Sequence, residues 1–286
     1  MLKQRVITAL LLLAVLIPAV LHPNRQFFMG LSLLMICAGA WEWGRLNARS
    51  QAMSVAGAVF CLLLSVTAID QGWGSHLPVQ LWWLTGSAWV LLGVALIRMG
   101  VPGWSRLPKL LCWLAGLLLL VGSWLALVHA HARGVNFLLS VLVLVWAADV
   151  VAYFCGRALG GKWFARKLAA GISPGKTWEG ALGGCAGVLL VAGLWMLWDR
   201  AHPALSPSLY TLLWQESRLL AVVAFVFMAA MSVVGDLVES LVKRSAGVKD
   251  SSGLLPGHGG VLDRVDALLP TLPLAMMLVS WLELHK

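Results

Sequence analysis

Between Asp149 and Asp266, seven carboxylates lie inside or beside apolar stretches: Asp149, Glu179, Asp236, Glu239, Asp250, Asp263 and Asp266. Two more, Asp199 and Glu216, fall in a polar connection, and only Glu42 and Asp70 precede Asp149. A carboxylate near hydrocarbon costs several kcal/mol unless it meets a cation, a metal or water. Packing gives no reason to gather such groups, so this region is the candidate functional site. Its densest segment is Gly235-Asp-Leu-Val-Glu-Ser-Leu-Val-Lys-Arg244. Asp236, Glu239, Ser240 and Lys243 stand at i, i+3, i+4 and i+7, which is one helix face. A salt-bridged helix end is the bland account, but two acids and a cation at membrane depth exceed what a helix end requires.

Lys249-Asp250 follows, and then Leu255-Pro-Gly-His-Gly-Gly-Val-Leu-Asp-Arg-Val-Asp266. Gly257, Gly259 and Gly260 permit positive φ and let backbone N–H groups approach an anion. His258 adds a donor, and Asp263 and Asp266 share a face with Arg264 beside them. Carboxylates close to cations that can reach phosphates suit Mg²⁺, which keeps waters and shares its ligands with substrate phosphates. An acid cap on a glycine turn would explain Asp266 but not the whole string.

In Ile172-Ser-Pro-Gly-Lys-Thr-Trp-Glu-Gly180, Thr177 is positioned to cap a helix with Glu179 in its first turn. Lys176 would then sit where an anion meets that helix start. Ala170-x₄-Gly175-Lys176-Thr177 also matches a relaxed P-loop. A P-loop follows a strand, whereas here an apolar helix precedes and Pro174 interrupts. Upstream, Asp149, Ala152, Tyr153 and Gly156 line one helix face; Asp149 is either a site group or a buried acid paired with a loop cation. Lys162-Trp-Phe-Ala-Arg-Lys167 mixes aromatics and cations, as a segment in the headgroup plane would. Glu42 reads as a structural partner of Arg45. The histidines other than His258, among them His76, fall outside these motifs.

These residues need elements to hold them, and the composition says which. The 286 residues are 60% hydrophobic and 12% charged, where a soluble domain is about half apolar and a quarter charged. Disorder is excluded, and an all-α polytopic membrane protein follows. Five isolated cysteines read as reduced apolar filler. Apolar runs predict nine helices, at 6–21, 27–46, 53–69, 80–97, 109–128, 137–155, 180–198, 219–239 and 266–283. Residues 1–134 would form an anchoring or oligomer-forming part. Residues 135–286 would form a catalytic part with polar loops at 156–179 and 240–265. With the N-terminus in the cytoplasm, sixteen of the 21 Lys and Arg residues fall on the inner side, including Arg49, and five on the outer, including Lys286. That asymmetry supports the orientation and brings both polar loops to the cytoplasmic face.

Ser240-x-x-Lys243-Arg244-x₄-Lys249-Asp250, continuing into Pro256-x-His258-Gly259-Gly260-x-x-Asp263-Arg264-x-Asp266, resembles the signature of phosphatidate cytidylyltransferases. Asp149-x-x-Ala-Tyr-x-x-Gly and Ser173-Pro-x-Lys176-Thr177-x-Glu179-Gly180 resemble that family's other motifs. The resemblance implies a multi-helix membrane enzyme, commonly dimeric, that condenses CTP with phosphatidic acid using Mg²⁺, with K⁺ as a candidate second ion. It implies Asp236 and Asp263 as metal ligands. It implies Ser173, Lys176, Thr177, Ser240, Lys243, Arg244 and His258 as substrate-binding groups. Phosphate contacts would also come from Lys249 and Arg264, with Asp149, Glu239, Asp250 and Asp266 orienting them. Tyr153, Glu179, Gly259 and Gly260 complete the candidate site. The expected setting is a bacterial inner membrane with the site facing the cytoplasm, and no nucleic acid partner is expected. Two other readings stay open: a CTP-dependent lipid-alcohol kinase, and a transporter that uses the acids as a cation relay.

Overall fold

A computed structural model describes residues 2–48, 50–74 and 77–285; Arg49, His76 and Lys286 lie outside them. The helices are α1 (Leu2–Leu21), α2 (Arg25–Ala48), α3 (Gln51–Asp70), α4 (Val79–Arg106), α5 (Lys109–Ala132), α6 (Val135–Leu159), α7 (Trp178–Ala201), α8 (Leu209–Glu216), α9 (Arg218–Ser245), α10 (Leu262–Val265) and α11 (Leu268–Leu284). No strand occurs among the described residues, only two isolated bridges. An apolar chain in lipid must satisfy its backbone internally, which leaves the helix as the available element here.

Seven helices, α2 to α7 and α9, are long and apolar enough to cross a membrane, and α1 and α11 carry shorter apolar stretches. Leu34, Leu91, Leu190 and Leu219 are 65–76% exposed, as side chains facing hydrocarbon would be. The protein is an all-α polytopic membrane protein. About nine membrane-spanning helices were expected; among the described residues nine apolar helices follow in that order with different limits, and seven of them are long enough to span. The stretch after Arg98 is not a loop: α4 kinks at Gly100 (φ 64°) and continues to Arg106. The connection after α7 contains the short helix α8, which Ser208 caps through the Thr211 amide. The expected loop 240–265 is shorter than its prediction, because α9 runs on to Ser245. Ser240, Lys243 and Arg244 are therefore on a helix.

The bundle is built around α9, which packs on α4, α7, α8 and α11 and also touches α6. Helix α11 packs on α4, α5 and α9. At Gly235 a Cβ would lie 2.9 Å from Pro270 Cδ and still closer to the Asp266 carbonyl oxygen. Glycine at this position thus brings the start of α11 against α9 one residue before Asp236.

Candidate active site

Helices α6 and α7 approach through small residues at four-residue spacing. A Cβ on Gly180 would lie 2.9 Å from the Ala152 carbonyl oxygen, and one on Gly184 would lie 2.8 Å from that of Ala148. Small residues let membrane helices pack backbone to backbone. The contact fixes the start of α7 beside the end of α6. There Thr177 caps α7 as expected, its hydroxyl accepting from Gly180 N at 3.1 Å. A cleft of about 480 Å³ opens at this junction, lined by Asp149, Tyr153, Arg157, Lys176, Thr177 and Asp236, among others. It falls within the roughly 300–1,000 Å³ of ligand pockets.

Lys176 stands directly before the α7 cap and lines this cleft. Its ammonium reaches Asp236 Oδ2 at 2.6 Å, because that carboxylate on α9 is the nearest opposite charge. Ser240 donates to Asp236 Oδ1 at 3.2 Å, so the i, i+4 face is realised. One turn on, Lys243 pairs with Glu239 Oε2 and with Asp263 Oδ1, both at 2.5 Å. Glu239 Oε1 is buried without a hydrogen-bond partner.

Asp263 is the most densely bonded acid of the group. Its Oδ2 accepts from Ser251 N and Ser251 Oγ at 2.9 Å and from Gly260 N at 2.7 Å. Burial alone would raise this carboxyl; the Lys243 ammonium and the Gly260 and Ser251 amides outweigh it and hold it down to about 2.

The remaining predicted residues spread around this centre. Gly257 and Gly259 have positive φ, as expected, but Gly260 does not. Gly260 is required for space, since a Cβ there would collide with Ser251 Oγ and Glu42 Oε1. Arg264 turns to the His258 carbonyl, donating at 2.9 and 2.6 Å. His258 Nδ1 is buried and unpartnered. Asp266 accepts from Ala267 N at 2.8 Å, capping the approach to α11. Arg244 donates to the Val248 carbonyl at 3.4 Å. Lys249 and Asp250 are exposed and form no ion pair among the described residues. Ser173 is half-buried in the 160–177 loop, where its amide bonds the Ala169 carbonyl. Glu179 is buried and accepts from the Trp163 and Phe164 amides at 3.0 Å, shaping that loop rather than facing the cleft. Trp163, at 66% exposed, and Phe164 stand out from it.

Three contributors were missed. Arg157 lines the cleft and donates to the Tyr153 hydroxyl at 3.1 Å; its position one turn after Tyr153 was the available signal. Ser251 and Glu42 were the others. The expected Glu42–Arg45 pair does not exist. Arg45 lies over the Trp41 ring, 4.9 Å from its centroid, while Glu42 is buried and bonded to residues 251–262.

The chain matches the Cytidylyltransferase family over residues 3–282. A Pseudomonas aeruginosa protein named phosphatidate cytidylyltransferase is 38% identical over 279 residues, spanning 96% of this chain and 95% of its own length. A Haemophilus influenzae protein of the same name is 36% identical over 292 residues, 96% of each chain. Phosphatidate cytidylyltransferase 5, chloroplastic, of Arabidopsis thaliana is 34% identical over 80% of this chain and 56% of its own. With the match running through nearly all of its length, this chain belongs to the cytidylyltransferase family.

Proposed function

We propose that the polar end of this bundle condenses CTP with phosphatidic acid to give CDP-diacylglycerol and pyrophosphate. Family membership and relatives named phosphatidate cytidylyltransferase support the reaction. The observation that carries the site is that Lys176 and Asp236 pair in the cleft and that, one turn along α9, Lys243 pairs with Glu239 and Asp263. Lys176 comes from the 160–177 loop, Asp236 to Lys243 from α9, and Asp263 from the turn before α11.

A phosphate oxygen of the lipid attacks the α-phosphorus of CTP. The bond from that phosphorus to the bridging oxygen of the β-phosphate breaks, and pyrophosphate leaves with the electron pair. The nucleophile is already an anion, so no strong base is needed; the barrier is the approach of two polyanions. Lys176 exchanges Asp236 for a substrate phosphate, and Arg157, across the same cleft, binds a second. Lys243 stays on Asp263 and presents its positive charge from below. Ser240 orients Asp236.

Asp236, which lines the cleft, and Asp263 would be the ligands of a hard divalent cation, Asp263 giving up one of the three donors on its Oδ2 to bind it. No three Asp, Glu, His or Cys side chains among the described residues form a cage by themselves. Mg²⁺ held there would have to complete its shell with water and substrate phosphate. Bound there, Mg²⁺ would supply positive charge to offset that of the triphosphate. The cleft faces the cytoplasm, where CTP is, and the lipid reaches it laterally from the inner leaflet of the bacterial inner membrane. A homodimer accords with the family resemblance.

Purified protein in detergent, given CTP labelled in the cytidine, phosphatidic acid and Mg²⁺, should release pyrophosphate and form a labelled lipid. Release of labelled CDP would identify a lipid-alcohol kinase instead. Absence of turnover without a sealed membrane would point to transport.

A further inference from the structure

Glu42 lies in the last third of α2, far in sequence from every acid of the site, and its carboxylate is fully buried. Its Oε1 accepts from Ser252 Oγ at 2.5 Å and from Val261 N at 2.9 Å. Its Oε2 accepts from Leu262 N at 2.8 Å and lies 3.1 Å from Ser251 Oγ. The Ser251 hydroxyl also lies 2.9 Å from Asp263 Oδ2, and its single proton can serve only one carboxylate at a time. Three full donors therefore remain on Glu42, and no cation pairs with it among the described residues. The next turn of α2 is shaped to the same loop: Leu262 packs so closely on Gly39 that a Cβ there would lie 3.2 Å from Leu262 Cδ2.

These bonds close a double clasp. Asp263 ties residue 251 to residue 260 from inside the loop, and Glu42 ties residues 251–252 to 261–262 from outside it. We propose that Glu42 is a positioning residue for the reaction. It pins both ends of the 250–263 loop to α2 and so fixes Asp263, and through it the Lys243 ammonium. The proposal rests on the reading of that loop as part of the active site. It also gives α2 a role beyond anchoring. Neutralising Glu42 replaces one acceptor oxygen with an amide N–H₂ facing donors, and a buried donor left unpaired costs more than a bond is worth. The loop should therefore loosen at both ends together.

The test uses full-length protein with Glu42→Gln, and Arg45→Ala as the control. Glu42→Gln is expected to lower kcat at least tenfold with KM for CTP within threefold. Amide hydrogen exchange should rise across 250–262 and stay unchanged in the other connections. Arg45→Ala should change neither. If the loop loosens while kcat holds, Glu42 has no consequence for catalysis and the proposal fails. If kcat falls without loop exchange, Glu42 acts elsewhere and it fails equally. Exchange is read without substrate, so it is independent of whether the reaction and metal are assigned correctly. Should Glu42→Gln not fold, Ser252→Ala removes a single donor: raised exchange at 250–262 with a several-fold fall in kcat supports the clasp, and wild-type behaviour overturns it.

Discussion

Gly235→Ala is the substitution that most directly tests how the acids are brought together. A Cβ at that position would stand 2.9 Å from two atoms of Pro270, where ordinary contacts lie at 3.4–4 Å, and would press harder on the Asp266 carbonyl. The partners are a proline ring and backbone, neither of which can rotate away. Helix α9 and the start of α11 must separate by at least half an ångström. Overpacking of this kind costs about 1–3 kcal/mol, offset by up to about 1 kcal/mol of helix propensity gained from alanine. Stability therefore falls modestly. Activity should fall further, because Asp236 follows Gly235 and Asp263 precedes Asp266. Catalytic groups need placement within about 0.5 Å, and a 1 Å error can cost about a hundredfold. We expect kcat for pyrophosphate release to drop by about 10- to 100-fold while the detergent-solubilised protein remains monodisperse. Gly193→Ala on α7, with nothing within 4 Å of its Cβ, is the matched control and should be neutral. Gly235→Ala with kcat within threefold of wild type would refute the claim that this contact sets the spacing of the acids.

Other outcomes follow from the same geometry. Asp263→Asn should cost at least about a hundredfold in turnover, with the fold retained, since it removes a charge that Lys243 and a proposed metal both use; near-normal rates at ordinary Mg²⁺ would remove Asp263 from the metal site. Lys162→Ala, on an exposed part of the 160–177 loop, should leave kcat within threefold; a loss as large as that of Asp263→Asn would relocate the site. Asp263, held down to about 2, stabilises the fold fully above its ordinary value of 3.8 and loses that contribution as pH falls through about 2. The Tm difference between wild type and Asp263→Asn should be flat from pH 5 to 8 and shrink below about 4; a difference that changes between pH 6 and 8 would contradict the bonding described for Asp263.

The apolar runs made the membrane helices legible, since hydrocarbon admits few alternatives. Their ends were less so, because polar ends can be satisfied in ways that hydropathy does not register. Helix α9 outlasts its apolar run to Ser245 because Ser240 and Lys243 find partners along one face. Helix α4 outlasts Arg98 because Gly100 adopts positive φ and restarts it. The i, i+3, i+4 and i+7 face of α9 was legible because helix geometry alone generates it. The partners of that face were not, since they arrive from other segments: Lys176 from before α7, Asp263 from before α11. Glu42 is the clearest case. Its sequence neighbourhood offers Arg45, but its partners lie more than two hundred residues away. Its one visible mark was to be an acid in a nearly acid-free half of the chain.

The two lysine clamps are not equivalent, and the difference bears on how anionic substrates enter. Buried ion pairs offset the cost of desolvating each charge, so neither partner leaves without a replacement. The Lys243 and Asp263 side chains are 12% and 6% exposed, and Asp263 carries three further donors. That pair belongs to the framework. The Lys176 and Asp236 side chains are 22% and 32% exposed, line the cleft, and among the described residues have one other bond between them, from Ser240. Lysine is a point charge on a flexible stem and trades partners more readily than arginine would. The resting site thus stores a cation on Asp236 that an arriving phosphate can take, provided Asp236 receives another positive charge in exchange. With the divalent cation proposed above as that charge, nucleotide and cation would enter together, because either one alone would strand a charge that the Lys176–Asp236 pair now neutralises.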